Sequence, residues 1–286
     1  MKLTIISGRS GSGKSTALRT LEDAGYHCVD NLPVSLLQSL VDQALRVPFA
    51  RDGNMAVCID ARTTGLERFP EILGALNDAG LDCEVIYLDA SNATLVRRAS
   101  ETRRRHPLTD AQTDLPQAIE AETGLLAQIA GLADLRIDTS DFLAAELIES
   151  VRDRVVARAA RGLSLLFRSF GFRYGVPPDS DMVFDLRCLP NPNWVPKLRP
   201  LTGLDEPVRA HLSGDAPVAG MFEDITGHLE TWLPRFEDNN RAYVTVSLGC
   251  TGGQHRSVYM AERLGLHFAA RHANVLVRHR ELGRRA

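Results

Sequence analysis

Eight residues near the amino terminus limit what this chain can become. Gly8, Arg9, Ser10, Gly11, Ser12, Gly13, Lys14 and Ser15 have the spacing G-x-x-x-x-G-K-[ST]. They follow a short apolar run, residues 3–7, long enough for a buried strand, and precede the helix-forming residues 16–22. Strand, glycine-rich turn and helix in that order predict a phosphate-binding loop. The glycines let the backbone curl until successive N–H groups point at one anion, and the opening helix adds the positive end of its dipole. Lys14 is spaced to reach the β- and γ-phosphates of ATP or GTP, and the Ser15 hydroxyl to ligate Mg²⁺.

The amino-terminal half repeats one pattern. Strands are predicted at 26–30, 55–59, 83–88 and 135–139, alternating with helices at 34–45, 69–79, 92–105 and from 142 to about 161. Strands that are apolar throughout and alternate with helices imply a parallel sheet covered on both faces. In such sheets ligands bind at the carboxyl ends of the strands, where Asp30, Asp60, Asp89 and Asp138 fall. Asp60, after the third strand, is the preferred magnesium-side carboxylate, and Asp89 is the alternative, with helix capping near Asn92 as its bland role. Asp30 lies where small-molecule kinases hold a phosphoryl acceptor, although Asp30 to Pro33 also suits a plain turn. Arg97, Arg98, Arg103, Arg104 and Arg105, against Glu101, make either a lid over a γ-phosphate or a solvated face.

Prolines and glycines cluster at 171–178, marking a change of domain. The expected division is 1–160 and 161–286. The second part holds predicted strands at 181–186, 243–248 and 273–278, helices at 219–233 and 258–271, and an irregular stretch at 189–203. After the strand at 243–248 come Gly249, Cys250, Thr251, Gly252, Gly253, Gln254, His255, Arg256 and Ser257, again strand, glycine-rich loop and helix. Cys250 and Arg256 also have the C-x₅-R spacing of cysteine-dependent phosphatases. Phosphate binding without chemistry, catalysis by Cys250 and a tight structural turn all fit that spacing. His255 fits an anion donor or a packing histidine. Arg271, Arg278, Arg280, Arg284 and Arg285 then face one acid, Glu281, as a phosphate-binding patch for RNA or a solubilising end. The fold class is thus α/β: a kinase-like P-loop domain with a parallel sheet, then a smaller α/β domain with a strand–loop–helix phosphate cradle.

Composition removes other classes. Net charge is −3 over 286 residues, so any pull on nucleic acid or anionic lipid must be local. The five cysteines never form C-x-x-C, which argues against a zinc site or disulfide framework. The apolar run at the start is too short for a signal peptide and no stretch is long enough to span a bilayer, so a cytoplasmic protein without membrane contact is expected.

Several segments together resemble the RapZ/YvcJ family of bacterial nucleotide-binding proteins. They are SGRSGSGKS at 7–15, RTLEDAGYHCVDNLP at 19–33, DTS at 138–140, SFGFRYGVP at 169–177, FDLRCLPNPNW at 184–194, LRPLTGLD at 198–205 and GCTGGQHRSVYMAE at 249–262. The resemblance implies a P-loop domain that binds and slowly hydrolyses ATP and GTP. The family's second nucleotide motif, Asp-Val-Arg-Asn, falls on Asp60, Ala61, Arg62 and Thr63, of which Asp60 and Arg62 match. It further implies a carboxy-terminal domain that senses glucosamine-6-phosphate, through Cys250, Thr251, Gly252, Gly253, His255 and Arg256 with Asp185, Arg187 and Asn239. Small-RNA binding at Arg278, Arg280, Arg284 and Arg285, a ribonuclease partner and homo-oligomerisation are implied as well; the family's lysines are absent from the basic end. Three functions follow as expectations: a regulatory NTPase, a small-molecule kinase using Asp30, and an RNA-binding adapter with a nucleotide sensor.

Overall fold

Strand β1 (Lys2–Gly8) is buried along both faces from Leu3 onward, which places it inside a sheet with helices above and below. The computed structural model describes residues 2–46, 53–102, 106–109, 112–157, 162–239 and 241–282. Arg103, Arg104, Arg105, Arg284 and Arg285 lie outside them. The chain divides into two units, Met1–Ala157 and Arg158–Ala286.

The first unit contains β2 (His27–Val29), β3 (Met55–Cys58), β4 (Asp82–Asp89) and β5 (Leu135–Asp138). Its sheet runs β2-β3-β1-β4-β5, with every neighbouring pair parallel. Both β3 and β4 therefore flank β1: Ile6 pairs with Cys58 on one side, and Gly8 with Leu88 on the other. The helices are α1 (Lys14–Asp23), α2 (Leu37–Arg46), α3 (Phe69–Asp78), α4 (Asn92–Thr102), α5 (Leu115–Gly131) and α6 (Ala144–Val151). Leu3, Ile5, Val57, Ile59 and Val85 of the sheet share a core with Phe69 of α3 and with Leu126 and Ile129 of α5.

Helix α5 was not anticipated. Asp114 caps it through a full capping box with Gln117, and a proline stands in its first turn. Its buried positions, Ala118, Ile119, Glu122, Leu126 and Ile129, keep helical spacing, with one acid in the apolar stripe. The predicted helix at 142–161 opens at Ala144 and widens after Val151 into a π-helical turn, Arg152–Val156.

The second unit contains β6 (Ser164–Gly171), β7 (Met182–Asp185), β8 (Tyr243–Cys250) and β9 (Asn274–His279), all parallel in the order β7-β8-β6-β9. Helices α7 (Glu206–Ser213), α8 (Ala216–Asp238) and α9 (Arg256–Ala269) complete it. Strand β6, also unanticipated, is central, and its half-buried Arg168 is bidentate to the buried Asp179. Leu165, Phe167, Val244 and Val246 form the core with Leu229, Met260, Leu264 and Phe268. No helix among the described residues is long and apolar enough to cross a membrane.

Candidate functional site

The turn between β1 and α1 opens on Gly8, at φ 143°, where a Cβ would stand 2.0 Å from the Leu88 carbonyl oxygen. Only glycine lets the strand leave the sheet there. The residues that follow are fastened from outside. Arg9 is buried; it donates to Asp89 (2.7 Å) and Asn92 (2.6 Å) and to the Ala90 carbonyl. Ser10 donates its N–H (2.8 Å) and hydroxyl (2.9 Å) to Glu122. The Gly11 carbonyl accepts from Arg98 (3.0 Å), and the Ser12 carbonyl from the buried Thr139 hydroxyl (2.9 Å).

The inner face is left unpaired. The N–H groups of Gly11, Gly13, Lys14 and Ser15 meet no acceptor among the described residues, and the buried Ser12 hydroxyl has no partner. Lys14 Nζ rests on the Gly8 (2.6 Å) and Arg9 (3.3 Å) carbonyls at the mouth of this nest. Convergent unpaired donors with one ammonium fit a polyphosphate chain.

Beside the nest, Asp60 follows β3 and is buried. Its carboxylate accepts the Arg62 N–H (2.9 Å), Nε (2.9 Å) and Nη2. Burial alone would raise its pKa, but the Arg62 hydrogen bonds and charge, with Lys14 nearby, together hold it below 3.8. The carboxylate is therefore ionised, as a magnesium-side group must be. Asp89 is used differently: it holds Arg9 Nε and the Ala90 N–H (2.8 Å), while Ser91 caps α4 through the Thr94 N–H. Asp30 is exposed at the end of β2, where its charge is felt by the buried Cys58 thiol. Burial first, and Asp30 among the neighbouring charges, push that thiol up to about 12, so it stays protonated. Of the arginines of α4, Arg97 pairs with Glu101 on the surface, whereas Arg98 braces Gly11 and the Thr139 carbonyl (2.6 Å). Arg98 is a strut of the loop.

The second glycine loop joins β8 to α9. Cys250 is buried; its sulfur accepts the Gly253 N–H (3.2 Å) and faces the Ser257 hydroxyl (3.2 Å). The N–H groups of Gly252, Gln254, Arg256 and Ser257 meet no acceptor among the described residues. Arg256 is only 4% exposed. Its Nη1 holds the Arg187 (3.0 Å) and Leu189 (2.9 Å) carbonyls, its Nη2 touches the Thr251 hydroxyl at 3.4 Å, and its Nε has no partner. On the Nε–Nη2 edge, the side that grips an oxyanion with two bonds, Nε is buried without a partner and Nη2 has only the long Thr251 contact.

Gly253, at φ 73°, packs so closely that a Cβ would lie 2.5 Å from Glu281 Oε2. Glu281 is buried, accepts the Gly171 N–H (3.1 Å) and is held by Arg280 Nε (2.6 Å). Arg280 also donates to the Gly175 carbonyl (2.7 Å), so its guanidinium is committed inside the fold. Beside the loop, Asp185 pairs in register with Gly249 and is bidentate to Arg187, whose hydrogen bonds lower the Asp185 pKa; Arg187 lies over the Phe172 ring. His255 is turned to the Leu198 carbonyl (3.2 Å), and burial depresses its pKa below 6.5, leaving it neutral. Asn239 donates to the Arg235 carbonyl (2.7 Å) at the end of α8 and makes no described contact with the loop. Arg278 is exposed on β9.

Residues 1–159 match the model of the RapZ-like N-terminal domain, and residues 163–283 that of the RapZ C-terminal domain. The chain belongs to the RapZ-like family. It is 52% identical over 284 residues to a nucleotide-binding protein of Hahella chejuensis, covering 99% of each chain. It is 51% identical to a nucleotide-binding protein of Pseudomonas putida, covering 99% of this chain and 100% of the relative. Among solved structures, shikimate kinase from Acinetobacter baumannii in complex with shikimate aligns with 56% of this chain and 96% of its own, at 16% identity and a TM-score of 0.37. In this RapZ-like protein Glu122, His106, Thr139 and Glu281 support the two loops and were not singled out from sequence. Glu122 alone had a usable signal, as the acid in the α5 stripe.

Proposed function

We propose that this RapZ-like protein is a regulatory NTPase. A nucleoside triphosphate, ATP or GTP, binds on Gly8 to Ser15, and Asp60 to Thr63 line its side. Lys14 reaches the β- and γ-phosphates. Ser15 and Asp60 would hold Mg²⁺, which neutralises charge on the phosphates when bound. The observation that carries this reading is the division of the loop. Groups of Arg9 to Ser12 are bound outward, while the amides of Gly11, Gly13, Lys14 and Ser15 remain for an anion. Asp60 is held in its pair with Arg62 instead of standing free to take a proton from water, in keeping with slow hydrolysis. The relatives' name, nucleotide-binding protein, agrees with this reading.

The second loop serves as the sensor in this account. The Nε–Nη2 edge of Arg256 and the amides of Gly252, Gln254 and Ser257 would take the phosphate of an amino sugar such as glucosamine-6-phosphate, and Asp185 would pair with its ammonium. Arg278, with Arg284 and Arg285, offers contacts for small RNA, through which the protein, as a homo-oligomer, would present RNA to a ribonuclease. One observation favours a kinase as the second reading: Asp30 is an exposed carboxylate whose charge is felt by Arg62 and Cys58 beside Asp60. Product analysis separates the two. Incubation with γ-labelled ATP or GTP and candidate sugars should release inorganic phosphate, in a reaction lost in Lys14→Ala. Label appearing in a sugar would replace the NTPase reading by the kinase one.

A further inference from the structure

The geometry points to Glu122 as a positioning residue of the phosphate-binding loop: from α5 it fixes the Arg9–Ser10 peptide so that the Arg9 carbonyl turns inward to Lys14. This rests on the nucleotide reading of the same loop. Glu122 is fully buried, and its carboxylate has three donors. Oε2 accepts the Ser10 N–H (2.8 Å) and faces His106 Nε2 (3.1 Å), and Oε1 accepts the Ser10 hydroxyl (2.9 Å). A tight turn sets the imidazole. The Leu108 N–H donates to His106 Nδ1 (3.2 Å), so the ring proton sits on Nε2 and points at Glu122.

The chain has no cis peptide among its described residues, so the Ser10 N–H and the Arg9 C=O point in opposite directions. With the N–H drawn outward by Glu122, the carbonyl faces the nest, where it accepts from Ser12 N–H (3.1 Å) and Lys14 Nζ (3.3 Å). Turning that peptide over would remove a support of Lys14 and aim the Ser10 N–H inward. It would also strip a buried carboxylate of one of its three donors, which is costly. The rest of the buried stripe is Ala118, Ile119, Leu126 and Ile129, so packing alone asks for an apolar residue at this position. A carboxylate beneath an anion site is tolerated for the peptide it orients.

Two substitutions separate orientation from charge. Glu122→Ala removes every acceptor. Glu122→Gln keeps all three contacts: its carbonyl takes the Ser10 N–H and the His106 proton, and its amide donates to the Ser10 hydroxyl. Binding of a fluorescent nucleoside triphosphate and hydrogen exchange at the Ser10 amide are measured on the full chain. Glu122→Ala should weaken binding by about tenfold and speed Ser10 exchange at least as much, while Glu122→Gln stays within about threefold of the parent in both. A folded Glu122→Ala with unchanged exchange and affinity overturns the proposal, as does a Glu122→Gln as impaired as Glu122→Ala. Should Glu122→Ala fail to fold, His106→Leu decides. It removes one donor and should cost about threefold in affinity, restored by His106→Gln; no loss, or no restoration, overturns the proposal. Lys14→Ala should lose binding yet keep Ser10 protected. If the parent binds no nucleotide while Glu122→Ala still exposes the Ser10 amide, the nucleotide reading fails and the positioning of the peptide stands.

Discussion

Asp60 and Arg62 form a chelate within three residues: the arginine gives its own N–H to one carboxylate oxygen and its guanidinium to the other. Asp185 and Arg187 repeat the arrangement in the second unit. Both aspartates lie at or just past the end of a parallel strand that borders the strand feeding a glycine loop. An ionised carboxylate is thus held at the rim of each nest by a residue that cannot drift from it. In the first unit this sets Asp60 apart from Asp89, whose carboxylate belongs to Arg9.

That distinction can be measured. Asp60→Asn should lower hydrolysis by at least about tenfold and weaken its dependence on Mg²⁺, with a melting temperature close to the parent's. Asp89→Ala instead leaves the buried Arg9 without its carboxylate and should cost about 1–2 kcal/mol of stability, with a smaller fall in hydrolysis. Reversed outcomes would move the metal-side role to Asp89.

Acid should loosen the second unit before carboxylates matter. His255 has a folded pKa below its ordinary 6.5 because burial disfavours the charged ring, and burial lowers His279 in the same way. The unfolded chain then binds protons first as pH falls. Stability is complete above pH 6.5 and declines below it, at no more than about 1.4 kcal/mol per pH unit for each histidine. Thermal melts between pH 7.5 and 5 should show this slope, and His255→Gln should flatten it.

Arg256→Lys keeps the charge but loses the two-pronged edge. Titration with inorganic phosphate and with glucosamine-6-phosphate should show binding weakened by at least about tenfold. Retained affinity would mean that the loop amides alone hold the anion.

Gly171→Ala should destabilise the second unit by about 2 kcal/mol or more, because a Cβ there would lie 2.7 Å from the Gly252 carbonyl carbon and 2.9 Å from the Gly253 nitrogen. The same variant should bind sugar phosphate poorly at a temperature where it is still folded.

Local spacing made both glycine loops, most strands and the strand-final aspartates readable in the sequence. Asp60 could be preferred over Asp89 only by analogy, since both strands border β1 and what parts them is an Arg9 contact spanning 80 residues. Helix α5 escaped notice although its cap and apolar spacing are ordinary. Strand β6 was hidden by the predicted helix running into it, and by Arg168, whose charge is answered by Asp179 in a later loop. Glu122 and Glu281 are supports whose meaning depends on meeting Ser10 and Gly171, 112 and 110 positions away, and no local pattern encodes such a meeting. The arginines of α4 illustrate the converse, a charge run that contains one strut, Arg98.

The anchoring of Gly171 and Gly253 by Glu281 bears on how nucleic-acid contacts should be mapped. Shortening the polypeptide to remove its arginine-rich end would also take away Arg280 and Glu281, and a lost RNA signal would then report a disturbed glycine loop as readily as a lost contact. Single charge reversals at Arg278, Arg284 or Arg285, or a stop codon placed beyond residue 282, keep Arg280 and Glu281 in the chain and hold the two proposed roles experimentally apart.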